Sequence, residues 1–155
     1  MCGRYKLVRL AEFTKLYPWI FPPDHAELPP RYNVAPAQAV AVVPNLPQPK
    51  IDFFHWGLVP SWAKDAKVGN RMINARAESL AEKPSFRTPL RRRRCLVLAD
   101  GFYEWKRGPD GKTKTPMLVR MKDGRPFAFA GLWETWRDAE ASTIPSCTIV
   151  TTAPR

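Results

Sequence analysis

The sequence predicts an α+β fold, mainly antiparallel β, built as a barrel-like or sandwich sheet with a few peripheral helices. Three observations carry this. Seven or so short runs have the alternation, or the β-branched and aromatic content, of strands. Two turn signals, Pro109-Asp110-Gly111-Lys112 and Asp123-Gly124, punctuate them as hairpin loops do. Helical spacing is found in one segment near the N-terminus, over Leu10, Phe13, Leu16, Tyr17 and Ile20. At 155 residues the chain has room for one sizeable core, so residues 1–155 are read as a single domain.

Taken in order, Gly3 to Val8 alternates weakly and predicts a short strand that holds the N-terminus in the body of the protein. Leu10 to Ile20 predicts a packing helix, broken by Pro18. Pro22, Pro23, Pro29 and Pro30 make 22–30 a surface loop, which contains His25. Arg31 to Pro36 reads as a compact turn leading into a strand at Ala39 to Val43. A second β-type run, Ile51 to Leu58, ends at Pro60 and delivers Ser61-Trp62-Ala63-Lys64 into a loop. Cys95 to Ala99, Phe102 to Lys106, Met117 to Met121, Pro126 to Trp133 and Cys147 to Thr151 complete the strands. Neither an internal repeat nor a phosphate-binding glycine loop is found.

The charge is informative. Twenty-five Lys and Arg against 14 Asp and Glu give a net charge of +11, a surplus that suits a polyanionic partner. Six Trp, eight Phe and four Tyr accompany it, and aromatics among basic residues also suit stacking on unpaired bases. The three cysteines, Cys2, Cys95 and Cys147, are odd in number and lack any Cys-x-x-Cys pair. That pattern indicates no disulfide framework, no zinc site and a reducing compartment. No apolar run is long enough for a signal peptide or a membrane span, so the expectation is a cytoplasmic or nucleoid-associated monomer without cofactor or metal.

Five stretches carry chemistry. Removing Met1 would leave Cys2 with an α-amine, of pKa about 7.7 to 8.0, on the carbon next to its thiol-bearing one. Such a 1,2-aminothiol attacks an aldehyde with nitrogen and closes a thiazolidine with sulfur, which an internal cysteine does not do. Asn74, Arg76 and Glu78 would share one face of an extended segment; the amide can orient an amine or a ribose oxygen and the guanidinium can neutralise phosphate. Trp62 in its basic loop is a stacking or wedging candidate, or a packed residue. Glu104, flanked by Tyr103 and Trp105, is placed for proton transfer, or pairs with Lys106 or Arg107 on the surface. Arg91 to Arg94, preceded by Lys83 and Arg87, is the densest positive run; it leads straight into a strand, and some of it should contact phosphate.

Five blocks in order, Met1-Cys2-Gly3-Arg4-Tyr5, Arg31 to Pro36, Trp56-Gly57-Leu58-Val59-Pro60-Ser61-Trp62, Ile73 to Glu78 and Ala99 to Trp105, resemble the SRAP family of SOS-response-associated peptidases and abasic-site processing proteins. The resemblance implies that the Cys2 amine attacks the aldehyde of an abasic site in single-stranded DNA and that the thiol closes a covalent thiazolidine crosslink. It assigns Asn74 to orienting the Cys2 amine and the sugar, and Glu104 to shuttling protons. It also assigns Arg4 and Arg76 to the flanking phosphates, and Trp62 and Pro36 to the flanking bases. The peptidase activity it implies is release of the protein's own Met1. Family members continue into an Ile-His-Asp-Arg-Met-Pro type segment whose histidine assists ring opening and crosslink reversal. This chain stops at Arg155 without it, which reads as a truncation, and neither His25 nor His55 lies in a matching motif. Two other functions remain open: a class II glutamine amidotransferase, which also begins Met-Cys-Gly, and a non-covalent single-strand-binding module.

Overall fold

In the computed structural model, residues 2–24 and 29–154 are described; His25 lies outside them. Ten strands and two short helices follow in chain order: β1 Tyr5–Leu7, α1 Leu10–Leu16, β2 Arg31–Val34, β3 Ala39–Pro44, β4 Asp52–Trp56, β5 Asn74–Arg76, α2 Arg87–Arg92, β6 Arg94–Ala99, β7 Gly101–Arg107, β8 Lys114–Val119, β9 Phe127–Arg137 and β10 Thr143–Thr151. Two 3₁₀ turns, Ala66–Arg71 and Ala77–Ser79, flank β5.

Strands β4, β3, β6, β9 and β10 form a closed barrel, because β10 pairs with β4 as well as with β9. That closing pair is parallel, with Cys147 opposite Trp56, and β5 joins the outer edge of β10 in parallel too. The sheet is therefore mixed rather than purely antiparallel. A second sheet, ordered β2-β1-β7-β8, is antiparallel throughout. Strand β6 passes through Asp100 directly into β7, so one continuous stretch links barrel and second sheet.

The run Val40-Ala41-Val42-Val43 does not alternate with polar residues because both faces of β3 are covered. Val40 and Val42 join Phe54, Trp56, Val97, Ala99, Cys147 and Ile149 in one buried cluster. Ala41 and Val43 instead meet Phe13, Ile20, Ile51 and Leu98. Helix α1 supplies Phe13 to this second cluster and stops at Leu16, one turn earlier than its apolar spacing suggests. Pro18 disfavours helical geometry at Tyr17 and has no N–H to continue the ladder. Cys95 and Cys147 are free and buried, as expected of thiols inside apolar strands.

Arg31 to Val34 is a strand rather than a turn, because its backbone pairs with β1, Tyr5 opposite Val34. The turn is displaced to residues 35–38, where Ala37 adopts a φ of 68°. Gly111, at the tip of the β7–β8 hairpin, has a φ of 69°, a left-handed conformation open to glycine at no steric cost. Asp110 accepts the amides of Lys112 and Thr113 there, so the expected turn chemistry is met.

Candidate active site at the rim of the barrel

The N-terminal segment is held by a buried carboxylate. Asp100, 2% exposed, accepts hydrogen bonds from Lys6 Nζ at 2.7 Å, Val8 N at 2.6 Å and Arg9 N at 2.7 Å. Its own amide donates to the Lys6 carbonyl at 3.0 Å. On the β7 side Tyr5 lies opposite Phe102, and the Tyr103 amide donates to the Arg4 carbonyl. Together these bonds fix the direction in which residues 2–4 leave β1.

Cys2 is consequently buried, 5% exposed, in the cluster that holds Tyr5, Val34 and Ile149. Asn74 Nδ2 donates to the Cys2 carbonyl at 3.0 Å, tying residue 2 to the first residue of β5. Asn74 Oδ1 is buried and, among the described residues, lacks a hydrogen-bond partner. A Cβ placed on Gly3 would meet nothing within 4 Å beyond its chain neighbours. Burial, opposed by a 3.9 Å contact from Sγ to the Arg4 carbonyl and reinforced by the negative charge of Glu104, pushes the Cys2 thiol up to about 11. Glu104 is thus near enough to act electrostatically on the sulfur, and the β1–β7 register, continued by two residues beyond Tyr5 and Phe102, sets it alongside Gly3.

The remaining expected residues lie just before β1, on β5, in the turn before β3 and in the loop after β4. Arg4 Nη1 reaches Asn33 Oδ1 at 3.3 Å, across the β1–β2 pair. Pro36 is half-buried in the turn whose Ala37 amide donates to the Trp56 carbonyl at the end of β4. Trp62 is 62% exposed, so it is presented rather than packed. Its loop is nonetheless anchored: Val59 N donates to Ser146 Oγ at 2.8 Å and Trp136 Nε1 to the Ala63 carbonyl at 2.6 Å. A Cβ placed on Gly69 would lie 2.5 Å from the Gly57 carbonyl oxygen, so only glycine permits that crossing. Arg76 is exposed on β5, two residues from Asn74, with the buried Ala75 between them.

One expectation fails. Glu78 does not share the Asn74–Arg76 face, because β5 ends at Arg76 and Glu78 sits in the following 3₁₀ turn. Its carboxylate accepts from Ala153 N and Thr152 Oγ1 and lies 3.9 Å from Arg76 Nε; the Ala153 bond foremost holds it below the usual range. The arginine run, moreover, is not beside Cys2. Arg93 pairs with Glu134 at 3.0 Å, and Arg94 opens β6 at the end opposite Ala99, roughly 17 Å away along a six-residue strand.

Three residues that sequence reasoning missed also shape the rim. Asn33 orients Arg4, Asp100 holds β1, and Tyr32, 64% exposed, accepts Tyr103 Oη through its carbonyl. The signal for Asp100 was its place between two strands, Cys95 to Ala99 and Phe102 to Lys106, where an isolated acid has to find donors. Among the described residues no group of three His, Cys, Asp or Glu could hold a metal, and no helix is long and apolar enough to cross a membrane.

The family model for SOS response associated peptidase (SRAP) matches residues 1–155. The chain belongs to the SRAP family. It is similar to the abasic site processing protein YoqW of Bacillus subtilis (strain 168), 48% identical over 159 residues that cover 99% of this chain and 69% of YoqW. It is similar also to the abasic site processing protein HMCES of Mus musculus, 34% identical over 108 residues, 59% of this chain and 31% of HMCES. A solved protein structure from Bacteroides thetaiotaomicron superposes with a TM-score of 0.85 at 25% identity, covering 97% of this chain and 68% of that one. The SRAP fold expected from the five sequence blocks is the fold observed.

Proposed function

We propose that this SRAP protein senses abasic sites in single-stranded DNA and captures them covalently through Cys2. The observation that carries the reading is the buried Cys2, tethered to Asn74 and within electrostatic reach of Glu104. The abasic site processing names of its relatives supply the substrate class. Residues 1–155 act as one domain and as a monomer in this reading, and neither metal nor cofactor takes part.

In the chain as encoded, the Cys2 nitrogen is the amide of the Met1–Cys2 peptide bond and cannot attack an aldehyde. The first step is hydrolysis of that bond, with Glu104 as proton carrier; it releases Met1 and creates the 1,2-aminothiol. A thiol at about 11 is almost wholly protonated at pH 7, about one part in ten thousand thiolate, whereas the new amine is uncharged to a useful fraction. Nitrogen therefore attacks first. The amine adds to C1′ of the ring-opened sugar, a carbinolamine forms, and loss of one water gives the imine. Sulfur then adds to the imine carbon while its proton ends on nitrogen, closing the thiazolidine with no further atom lost. Ring closure protects the strand, because an open imine hydrolyses or leads to β-elimination.

Asn74 positions Cys2 through its carbonyl and offers its unpartnered Oδ1 to the amine or to a sugar hydroxyl. Glu104 receives the proton that leaves nitrogen or sulfur. Arg4, steered by Asn33, and Arg76 hold the phosphates on either side, and Trp62 and Pro36 receive the neighbouring bases. The test is single-stranded DNA with one abasic site, resolved under denaturing conditions. Wild-type protein is expected to give a species that survives denaturation. Cys2→Ser should bind the DNA equally well and give none. A heat-stable adduct at wild-type yield from Cys2→Ser contradicts the thiol's role, and glutamate release from glutamine would make the protein an amidotransferase.

A further inference from the structure

The positive run that does not reach Cys2 forms a surface of its own. Lys83, Arg87, Arg91, Arg92 and Arg94 are exposed, and among the described residues none of them makes an ion pair. Among the described residues of this run, Arg93 alone is ion-paired, with Glu134. This segment is also rigidly held. Asn45 Nδ2 donates to the Arg92 carbonyl at 3.1 Å, and Asn45 Oδ1 accepts Arg94 N at 3.1 Å and Trp133 Nε1 at 3.0 Å. Arg94 then lines a groove of about 250 Å³ together with Asn45, Leu46 and Trp19, whose indole is 55% exposed. An exposed indole, an amide and an unpaired guanidinium around one groove, continued by two more free guanidinium groups, combine base stacking with phosphate neutralisation.

We propose that this face, at the end of β6 away from Cys2, is a second binding surface for single-stranded DNA. Arg91, Arg92 and Arg94 take backbone phosphates and Trp19 stacks a base. The surface takes its ligand from the DNA-processing reading and extends it. A strand captured at Cys2 would be gripped again beyond the lesion, which keeps flanking single strand on the protein while the crosslink forms. The carboxylate of Glu134 is buried against Arg93.

The test uses undamaged DNA, so that loss of crosslinking chemistry and loss of this surface are read separately. Affinity is measured against salt for oligonucleotides of about 6 and about 30 nucleotides, of which only the longer spans the Cys2 rim and this face together. The triple variant R91Q/R92Q/R94Q should lower the magnitude of the log K against log salt slope by about 2 on the long strand, at about 0.7 per phosphate contact. The short strand, held at the Cys2 rim, should be unaffected. Trp19→Ala should weaken the long strand by about five-fold or more. An unchanged slope in the triple variant, or equal losses on short and long strands, overturns the second surface. Unchanged long-strand affinity in Trp19→Ala overturns its assignment to single strands.

Discussion

Replacing Asp100 by alanine tests how the N-terminus is held. In the wild-type protein this carboxylate is 2% exposed and satisfies three donors at 2.6–2.7 Å: the Lys6 ammonium and the amides of Val8 and Arg9. Alanine removes all three acceptor contacts and leaves Lys6, whose side chain is 17% exposed, without its counter-charge. Breaking a buried charge pair by deleting one partner costs about 3–5 kcal/mol, because the surviving charge stays desolvated. Relief is partial, since Lys6 can swing toward water. We therefore expect Asp100→Ala to lower unfolding free energy by about 3–4 kcal/mol, or roughly 6–16 °C in melting temperature for a domain of this size. Chemical denaturation at pH 7 reads it directly. Asp100→Asn, which keeps one acceptor oxygen for the two amides, should lose about half as much. A loss below about 1 kcal/mol in Asp100→Ala would mean that the sheet pairing alone fixes β1, and that the carboxylate is incidental to where Cys2 lies.

Other substitutions separate positioning from binding. Asn74→Ala removes the bond to the Cys2 carbonyl; stability should fall by about 1 kcal/mol and crosslinking by about ten-fold or more, with DNA affinity unchanged in a gel-shift measurement. Equal losses in affinity and crosslinking would instead place Asn74 on the DNA. Gly3→Ala should fold normally, since a Cβ there meets nothing within 4 Å beyond its chain neighbours; a loss of more than about 1 kcal/mol in unfolding free energy would contradict that. Burial raises Cys2 to about 11 and Cys95 to about 12, so the folded state disfavours both thiolates. Their stabilising contribution is full below pH about 9, the unfolded value, and is lost as pH rises through 11 and 12. Unfolding free energy measured from pH 8 to 12 should therefore fall, and Cys95→Val should lessen the fall; an unaltered slope in that variant would contradict it.

Much of the fold is legible in the sequence where the signal is local. Alternation and turn residues locate the strand of Cys95 to Ala99 and the β7–β8 hairpin, whose Asp110 and Gly111 perform the expected tasks. What is not legible depends on partners distant in sequence. Arg31 to Val34 has the composition of a turn, and only the pairing with β1 makes it a strand. Barrel closure rests on a parallel β10–β4 pair between residues some ninety positions apart, as in Cys147 opposite Trp56, which no local pattern encodes. The site divides the same way. The Met-Cys junction and the Asn74, Arg76 and Glu104 blocks are visible as sequence, whereas the tether from Asn74 to Cys2 and the clamp by Asp100 appear only on folding. The arginine run was conspicuous as charge, but its distance from Cys2 follows from the direction of β6, and periodicity carries no information on that.

Intact mass spectrometry of the purified protein, before and after exposure to single-stranded DNA bearing one abasic site, bears most directly on the chemistry proposed for Cys2. The account predicts a starting mass short of one methionine, then a denaturation-resistant product equal to protein plus oligonucleotide less one water, with the attachment mapped to Cys2. A product formed while Met1 is still in place, or one joined at any other residue, would contradict it.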